Sequence, residues 1–263
     1  MQWKHAITKR LQSLFVPSIV MCILFSLYNG YSSDEVAYND MKGGYWFTIV
    51  AFFIYLIFIS IECIARLTRN KQKLILYGSI ILLFSLPSLI GHRWDNNPIY
   101  RLFSTYQIIK YLPFFYTGVI SHMYRDKFYK LVSNDWIICL FIVLMIGLYI
   151  FHNRLSVWVQ GYLGIFIICA IFFKFRKIFD SDNSIINMIL IIGRNTLAIY
   201  FLHYFCLGGI SALSPLAQNI MSNGSWLLNA TLTSSIALTI IGLCILAKRC
   251  ISTSNILNKL MFG

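Results

Sequence analysis

Residues 193 to 203 bring several chemically capable side chains into an otherwise apolar stretch, which reads Gly-Arg-Asn-Thr-Leu-Ala-Ile-Tyr-Phe-Leu-His. On a helix, Thr196, Tyr200 and His203 are spaced i, i+4 and i+7 and therefore share one face. Such a polar face has two interpretations. It forms hydrogen bonds between helices, or it is a site in which His203 acts as a general base or binds a substrate. The spacing alone leaves both open.

The charge of Arg194 constrains the helix that carries this run. A straight helix over residues 184–207 would place Arg194 near the centre of the hydrocarbon, where a charged side chain costs about 3 kcal/mol on insertion scales. We therefore predict a break at Gly193, with an interfacial segment over residues 184–192 and a span over residues 194–212. His203 would then lie about 13 Å further along the helix, near the middle of the membrane.

The composition of the whole chain is that of a membrane protein. Apolar residues make up 58% of the 263 residues and charged residues only 12%, whereas soluble domains are about 25% charged. We predict one all-α domain over residues 1–263, a polytopic transmembrane helix bundle of about eight spans. The predicted spans cover residues 11–28, 45–65, 73–91, 106–122, 135–151, 157–173, 194–212 and 229–247.

The distribution of charge predicts the orientation of these spans. The net charge is +13, with 22 lysines and arginines against 9 acidic residues. Most of the basic residues fall in the N-terminal segment, the C-terminal segment and alternate connections, which predicts that both termini are cytoplasmic. Because the charge follows the membrane, we expect no nucleic-acid partner. The seven cysteines show no metal-ligand spacing, so no metal site is expected.

Four short motifs occur in an order and at spacings similar to those of a known family. The run Arg194 to His203 resembles the late-helix pattern of the acyltransferase-3 family, bacterial membrane proteins that transfer acetyl or other acyl groups to sugars of surface polysaccharides. The earlier motifs are Lys9-Arg10-Leu11 followed by Pro17, Gly44-Tyr45-Trp46-Phe47, and Tyr111-Leu112-Pro113-Phe114-Phe115 with Gly118. The resemblance implies that this sequence begins at the family's third helix, and we therefore expect no counterpart of the first two helices, which carry the histidine usually regarded as catalytic.

The resemblance implies a membrane-bound O-acyltransferase, in particular an O-acetyltransferase, of the bacterial inner membrane. Its donor would be a cytoplasmic acyl-CoA such as acetyl-CoA, used as a substrate rather than as a permanently bound cofactor. Its acceptor would be a hydroxyl of a surface polysaccharide or of a lipid-linked precursor. The roles implied are general base for His203, donor phosphate binding for Lys9, Arg10 and Arg194, and substrate contact for Trp46, Asn195, Thr196 and Tyr200.

Other interpretations of the same residues stay open. Lys9 and Arg10 also serve to set topology, and Trp46 and Tyr200 also suit an interface anchor and a packed aromatic ring. The chain as a whole also fits a catalytically inactive truncated homologue, an assembly partner or a small polysaccharide-export component. Transporters favour paired half-helices, whereas this sequence predicts one break. Nothing in the sequence indicates an oligomeric state.

Overall fold

The computed structural model describes residues 2–39, 41–66, 69–90, 97–151, 154–179, 183–210 and 225–262, and these ranges contain helices but no strand. The prediction of an all-α fold is therefore confirmed for them. A π-helix, Leu11–Phe15, and a 3₁₀ turn, Lys42–Gly44, accompany the α-helices. The α-helices are α1 Gln2–Arg10, α2 Val16–Asn29, α3 Ser33–Ala37, α4 Trp46–Ala65, α5 Asn70–Ile90, α6 Pro98–Leu102, α7 Thr105–Met123, α8 Arg125–Val132, α9 Asp135–Phe151, α10 Arg154–Lys174, α11 Arg176–Phe179, α12 Ser184–Arg194, α13 Thr196–Ile210, α14 Trp226–Ile251 and α15 Asn255–Phe262.

Several of these helices can cross a bilayer. Among the described residues, three continuous stretches are long and apolar enough, namely Trp3–Asn29, Trp46–Ala65 and Trp226–Ile251. Counting each of two bent pairs, α8 with α9 and α12 with α13, as one span raises the number to five. The chain is a membrane protein, while eight spans and cytoplasmic termini remain predictions. Residues 91 and 211–212, which end two of the predicted spans, lie outside the described residues.

The break predicted at Gly193 lies two residues later, at Asn195. There α12 ends and α13 begins, and the two helices are bent by 79°. The side-chain amide of Asn195 donates to the Ile191 carbonyl at 2.7 Å, and the Thr196 hydroxyl donates to the Gly193 carbonyl at 2.7 Å. These side chains bond carbonyls of the last turn of α12 in addition to the backbone bond that Asn195 N–H donates to the Ile191 carbonyl at 3.1 Å. Arg194 consequently ends α12 and does not begin the following span.

The chain forms two compact units, and the second comprises Phe53–Ile186. Within it α5 packs along α7, and α9 packs along α10. Glu62 forms an ion pair with Lys73 at 3.4 Å and accepts a hydrogen bond from the hydroxyl of Tyr77. An intramembrane carboxylate needs such partners, because leaving it unpaired in an apolar environment is costly.

The first unit comprises Met1–Phe52 and Asn187–Gly263. Helix α13 packs against α2 and α14, while α15 packs against α2 and the π-helix. The residues buried at the centre of this unit come from α2, α13, α14 and the residue that precedes α4: Met21, Tyr45, Phe201, Leu202, Ile240 and Cys244. This packing brings two of the four sequence motifs into contact.

Candidate functional site

Two glycines allow the segment before α4 to approach its neighbours closely. Gly43 and Gly44 have φ angles of 60° and 101°, in the region that favours glycine. A Cβ on Gly44 would overlap the ring of Tyr204 on α13, and a Cβ on Gly43 would lie 2.8 Å from Cδ1 of Phe25 on α2. The glycine pair therefore fits the backbone between two helices where a larger residue would not.

Two tyrosines fix this segment to α13 by hydrogen bonds. The Tyr200 hydroxyl donates to the Gly44 carbonyl at 2.7 Å and accepts from the Phe47 amide at 3.2 Å. In return, the fully buried Tyr45 donates its hydroxyl to the Phe201 carbonyl at 2.9 Å. The Phe47 amide lies in the first turn of α4, where backbone donors have no helical partner. Tyr200 thus caps α4 and joins the two motifs.

His203 is oriented by its own helix. Its Nδ1 lies 2.8 Å from the Tyr200 carbonyl oxygen and 3.1 Å from the Ile199 carbonyl oxygen. Since both partners only accept, Nδ1 donates, and in the neutral form of the ring this leaves Nε2 as the acceptor. The half-buried imidazole also lies against the ring of Tyr204, with centroids 4.0 Å apart. This fixes the tautomer that a general base at Nε2 requires.

Tyr204, but not His203, is among the described residues that line a cavity. Its volume of about 450 Å³ falls within the range of small-molecule sites. Its lining combines aromatic rings, a carboxylate and an amide: Phe25, Tyr31, Glu35, Val36, Asn39, Gly43 and Tyr204. Aromatic faces pack on apolar patches, while a carboxylate and an amide hydrogen-bond hydroxyl groups. This lining therefore suits a small polyhydroxylated molecule.

The sequence analysis missed this cavity because five of its seven lining residues lie in the connection between α2 and α4, which has no recognisable motif before Gly44. One local signal was present. Ser32 and Glu35 form a capping box at the start of α3, with Ser32 N–H donating to Glu35 Oε2 at 3.0 Å and Glu35 N–H donating to Ser32 Oγ at 3.2 Å. A Ser-x-x-Glu pattern is a known helix start. It predicts an ordered turn in the first long connection, and that turn forms part of the cavity wall.

Comparison with known proteins decides the family. The family model described as an acyltransferase domain, that of the acyltransferase-3 family, matches residues 1–248. The chain belongs to the acyltransferase-3 family. A comparison with curated proteins and one with solved structures each found no match. The matched residues include every motif on which the resemblance was based.

In this acyltransferase-3 protein, the residues predicted to contact substrate occupy two places. Trp46 is half-buried as the first residue of α4, and Tyr200 joins that helix to α13. Asn195 and Thr196 instead lie at the bend, where Asn195 Oδ1 accepts from Lys248 Nζ at 2.7 Å. His203 lies seven positions after Thr196 on α13, which corresponds to a rise of roughly 10 Å. The polar residues of this face therefore lie in two places, with Thr196 at the helix break and His203 further along α13.

The cations predicted to bind the donor are exposed. Lys9 and Arg10 form the last turn of α1, and Arg194 forms the last residue of α12. Helix α15 packs against the π-helix that begins directly after Arg10. The structure also brings Lys248 beside Asn195, a contact that sequence reasoning missed because it assigned Lys248 to topology alone. The available sequence signal that Lys248 has no acidic partner nearby in the chain was the absence of any acidic residue after Asp182.

Proposed function

We propose that this protein is a membrane-bound O-acyltransferase, in particular an O-acetyltransferase. It moves an acyl group from a cytoplasmic acyl-CoA to a hydroxyl of a surface polysaccharide or of its lipid-linked precursor, in the inner membrane of a bacterium. Family membership supports the reaction class. The observation that carries the rest is His203, whose Nδ1 is held by the Tyr200 carbonyl and whose ring lies against Tyr204, a residue that lines a cavity suited to a sugar.

The chemistry assigned to His203 is general base catalysis. Nε2 takes the proton of the acceptor hydroxyl while that oxygen attacks the carbonyl carbon of the thioester. The tetrahedral intermediate then collapses, the carbon–sulfur bond breaks, and the coenzyme A thiolate takes the proton back from the imidazolium. A positioned base contributes about 10²- to 10⁴-fold to such a step. The hydrogen bond from Nδ1 to Tyr200 stabilises the imidazolium that forms in between.

The remaining residues hold the two substrates in this proposal. Lys9, Arg10 and Arg194 attract the phosphates of the donor from the cytoplasmic side, in a bundle of eight spans with both termini in the cytoplasm. Trp46 and Tyr200 contribute aromatic faces to the acceptor. Tyr200 does so through its ring, since its hydroxyl binds the backbone at the start of α4. Asn195 and Thr196 contact the substrate at the bend.

The variant His203→Asn tests the base. Asparagine places an amide N–H where Nδ1 now donates to the Tyr200 carbonyl, but it has no counterpart of Nε2. Purified protein in nanodiscs is incubated with acetyl-CoA and a panel of carbohydrates, and free coenzyme A and acetylated sugar are quantified by mass spectrometry. We expect turnover to fall about 10²-fold or more while thermal unfolding changes little.

The control is His122→Asn, which removes an exposed histidine at the end of α7. It should retain wild-type turnover. If His203→Asn also retains it, then His203 is a structural residue and the proposed mechanism is wrong.

A further inference from the structure

A second cavity lies at the bend between α12 and α13. Its volume is about 370 Å³. Its walls come from the end of α12, the last turns of α14 and the turn that follows α14: Ile191, Asn195, Ile245, Lys248, Arg249, Ser252 and Thr253. Among the described residues, two cations and no carboxylate line it, so its chemistry differs from that of the cavity beside Tyr204. We name it the basic cavity.

The cations of the basic cavity are held without being neutralised. Lys248 Nζ donates to Asn195 Oδ1 at 2.7 Å, and the amide nitrogen of Asn195 is occupied by the Ile191 carbonyl. The orientation of the amide is therefore fixed with its oxygen toward Lys248. A neutral amide orients the ammonium but leaves its charge uncompensated. Arg249 is exposed beside it and forms no hydrogen bond or ion pair with any other described residue.

The surrounding sequence offers no acidic group to offset these charges. Residues 183–263 contain no aspartate or glutamate, and neither do residues 1–33. Helix α15, which follows the cavity, packs against the π-helix that begins directly after Lys9 and Arg10. An excess of positive charge at a concave surface raises the local concentration of anions.

We propose that the basic cavity binds a phosphate ester through Lys248 and Arg249. A guanidinium fork matches phosphate oxygens bidentately, and the oriented ammonium adds a second donor. Two molecules carry this chemistry, the acyl-CoA donor and an anionic lipid headgroup. The assignment to acyl-CoA rests on the proposed function. It fits the chain because Asn195, which lines the cavity, directly precedes α13, the helix that carries His203 roughly 10 Å further along.

The first arm of the test measures coenzyme A binding in nanodiscs of uncharged phosphatidylcholine. Arg249→Gln removes the exposed charge and should leave the fold intact, because Arg249 binds no other described residue. We expect its dissociation constant for coenzyme A to rise about tenfold or more. The control Lys259→Gln removes an equal charge from the exposed face of α15, outside the cavity, and should leave the dissociation constant close to that of wild type.

The same binding measurement with dephospho-coenzyme A, which lacks the 3′-phosphate, shows which phosphate Arg249 contacts. If Arg249 contacts that phosphate, wild type should prefer coenzyme A, and Arg249→Gln should bind the two molecules equally. If Arg249→Gln weakens both by the same factor, Arg249 contacts the pyrophosphate. Either pattern supports the site, and the double comparison identifies the phosphate.

The second arm measures lipid. Wild type, Arg249→Gln and Lys259→Gln are purified from membranes containing phosphatidylglycerol, and retained lipid is quantified by native mass spectrometry. Selective loss of phosphatidylglycerol in Arg249→Gln, with no coenzyme A binding by wild type, would support the site and contradict the acyl-CoA donor of the proposed function. If Arg249→Gln behaves like Lys259→Gln in both arms, the basic cavity is not a phosphate site. The proposed function then stands if wild type still binds coenzyme A.

Discussion

Replacing Gly44 with alanine should separate the two motifs that meet beside His203. Gly44 has a φ of 101°, and a Cβ there would overlap the Tyr204 ring. That ring in turn lies against the imidazole of His203. The substitution therefore introduces backbone strain and displaces an aromatic ring that contacts the proposed base. Both stability and activity should fall.

The expected loss of stability has two parts. A residue with a side chain at positive φ costs about 1–2 kcal/mol relative to glycine. Placing a methyl group in a packed site costs a further amount of about 1–3 kcal/mol. Together these give roughly 2–5 kcal/mol. The cost of the added methyl group should depend on Tyr204, whereas the cost of the positive φ angle should not.

Thermal and denaturant unfolding in detergent, compared with wild type, measure the loss. Gly242→Ala is the matched control, because Gly242 lies within α14 with open space around the position of its Cβ. It should be neutral or more stable by about 0.5–1 kcal/mol. Combining Gly44→Ala with Tyr204→Ala should remove the overlap and leave only the backbone strain. If Gly44→Ala costs nothing, or costs the same in both backgrounds, the close packing described here is wrong.

Two further predictions concern capping and topology. Tyr200→Phe removes the hydroxyl that bridges the backbone at the start of α4. The free energy of unfolding should therefore fall by about 1–3 kcal/mol. The control Tyr28→Phe, at an exposed position on α2, should change stability little. Cys250 is exposed near the end of α14, and if the C-terminus is cytoplasmic, a membrane-impermeant maleimide should label it in inside-out vesicles but not in intact cells. Cys250→Ser identifies that signal, and labelling of Cys250 in intact cells would contradict the predicted orientation.

Features that depend on local composition could be predicted from the sequence. The all-helical fold follows from long apolar stretches, and the break near Arg194 follows from the cost of a charge in hydrocarbon. The predicted position was two residues early because glycine was taken as the breaker. The structure instead uses the side chains of Asn195 and Thr196, which bond the carbonyls of the preceding turn. Both residues are polar helix-end formers, so the signal was present but was assigned to substrate binding.

Contacts between distant parts of the chain could not be predicted in the same way. The hydrogen bonds of Tyr200 to Phe47 and Gly44 join positions 153 and 156 residues apart. Helical periodicity places Tyr200 on a face but does not say which segment that face meets. The same limit applies to Lys248, since the positive-inside pattern accounts for a basic residue there without reference to Asn195.

The bend at Asn195 explains how two cavities of different chemistry lie along one helix, α13. Asn195 closes α12 and orients Lys248 at the basic cavity, and α13 then leaves in a direction 79° away from α12. Tyr204, which lines the other cavity, lies eight positions after Thr196 on α13, a rise of about 12 Å, and His203 lies directly before Tyr204. An unbroken helix would carry Arg194 into the apolar layer, where a charged side chain is costly. The break therefore keeps Arg194 at the end of α12 and Asn195 beside Lys248, and the rise along α13 separates the basic cavity from His203.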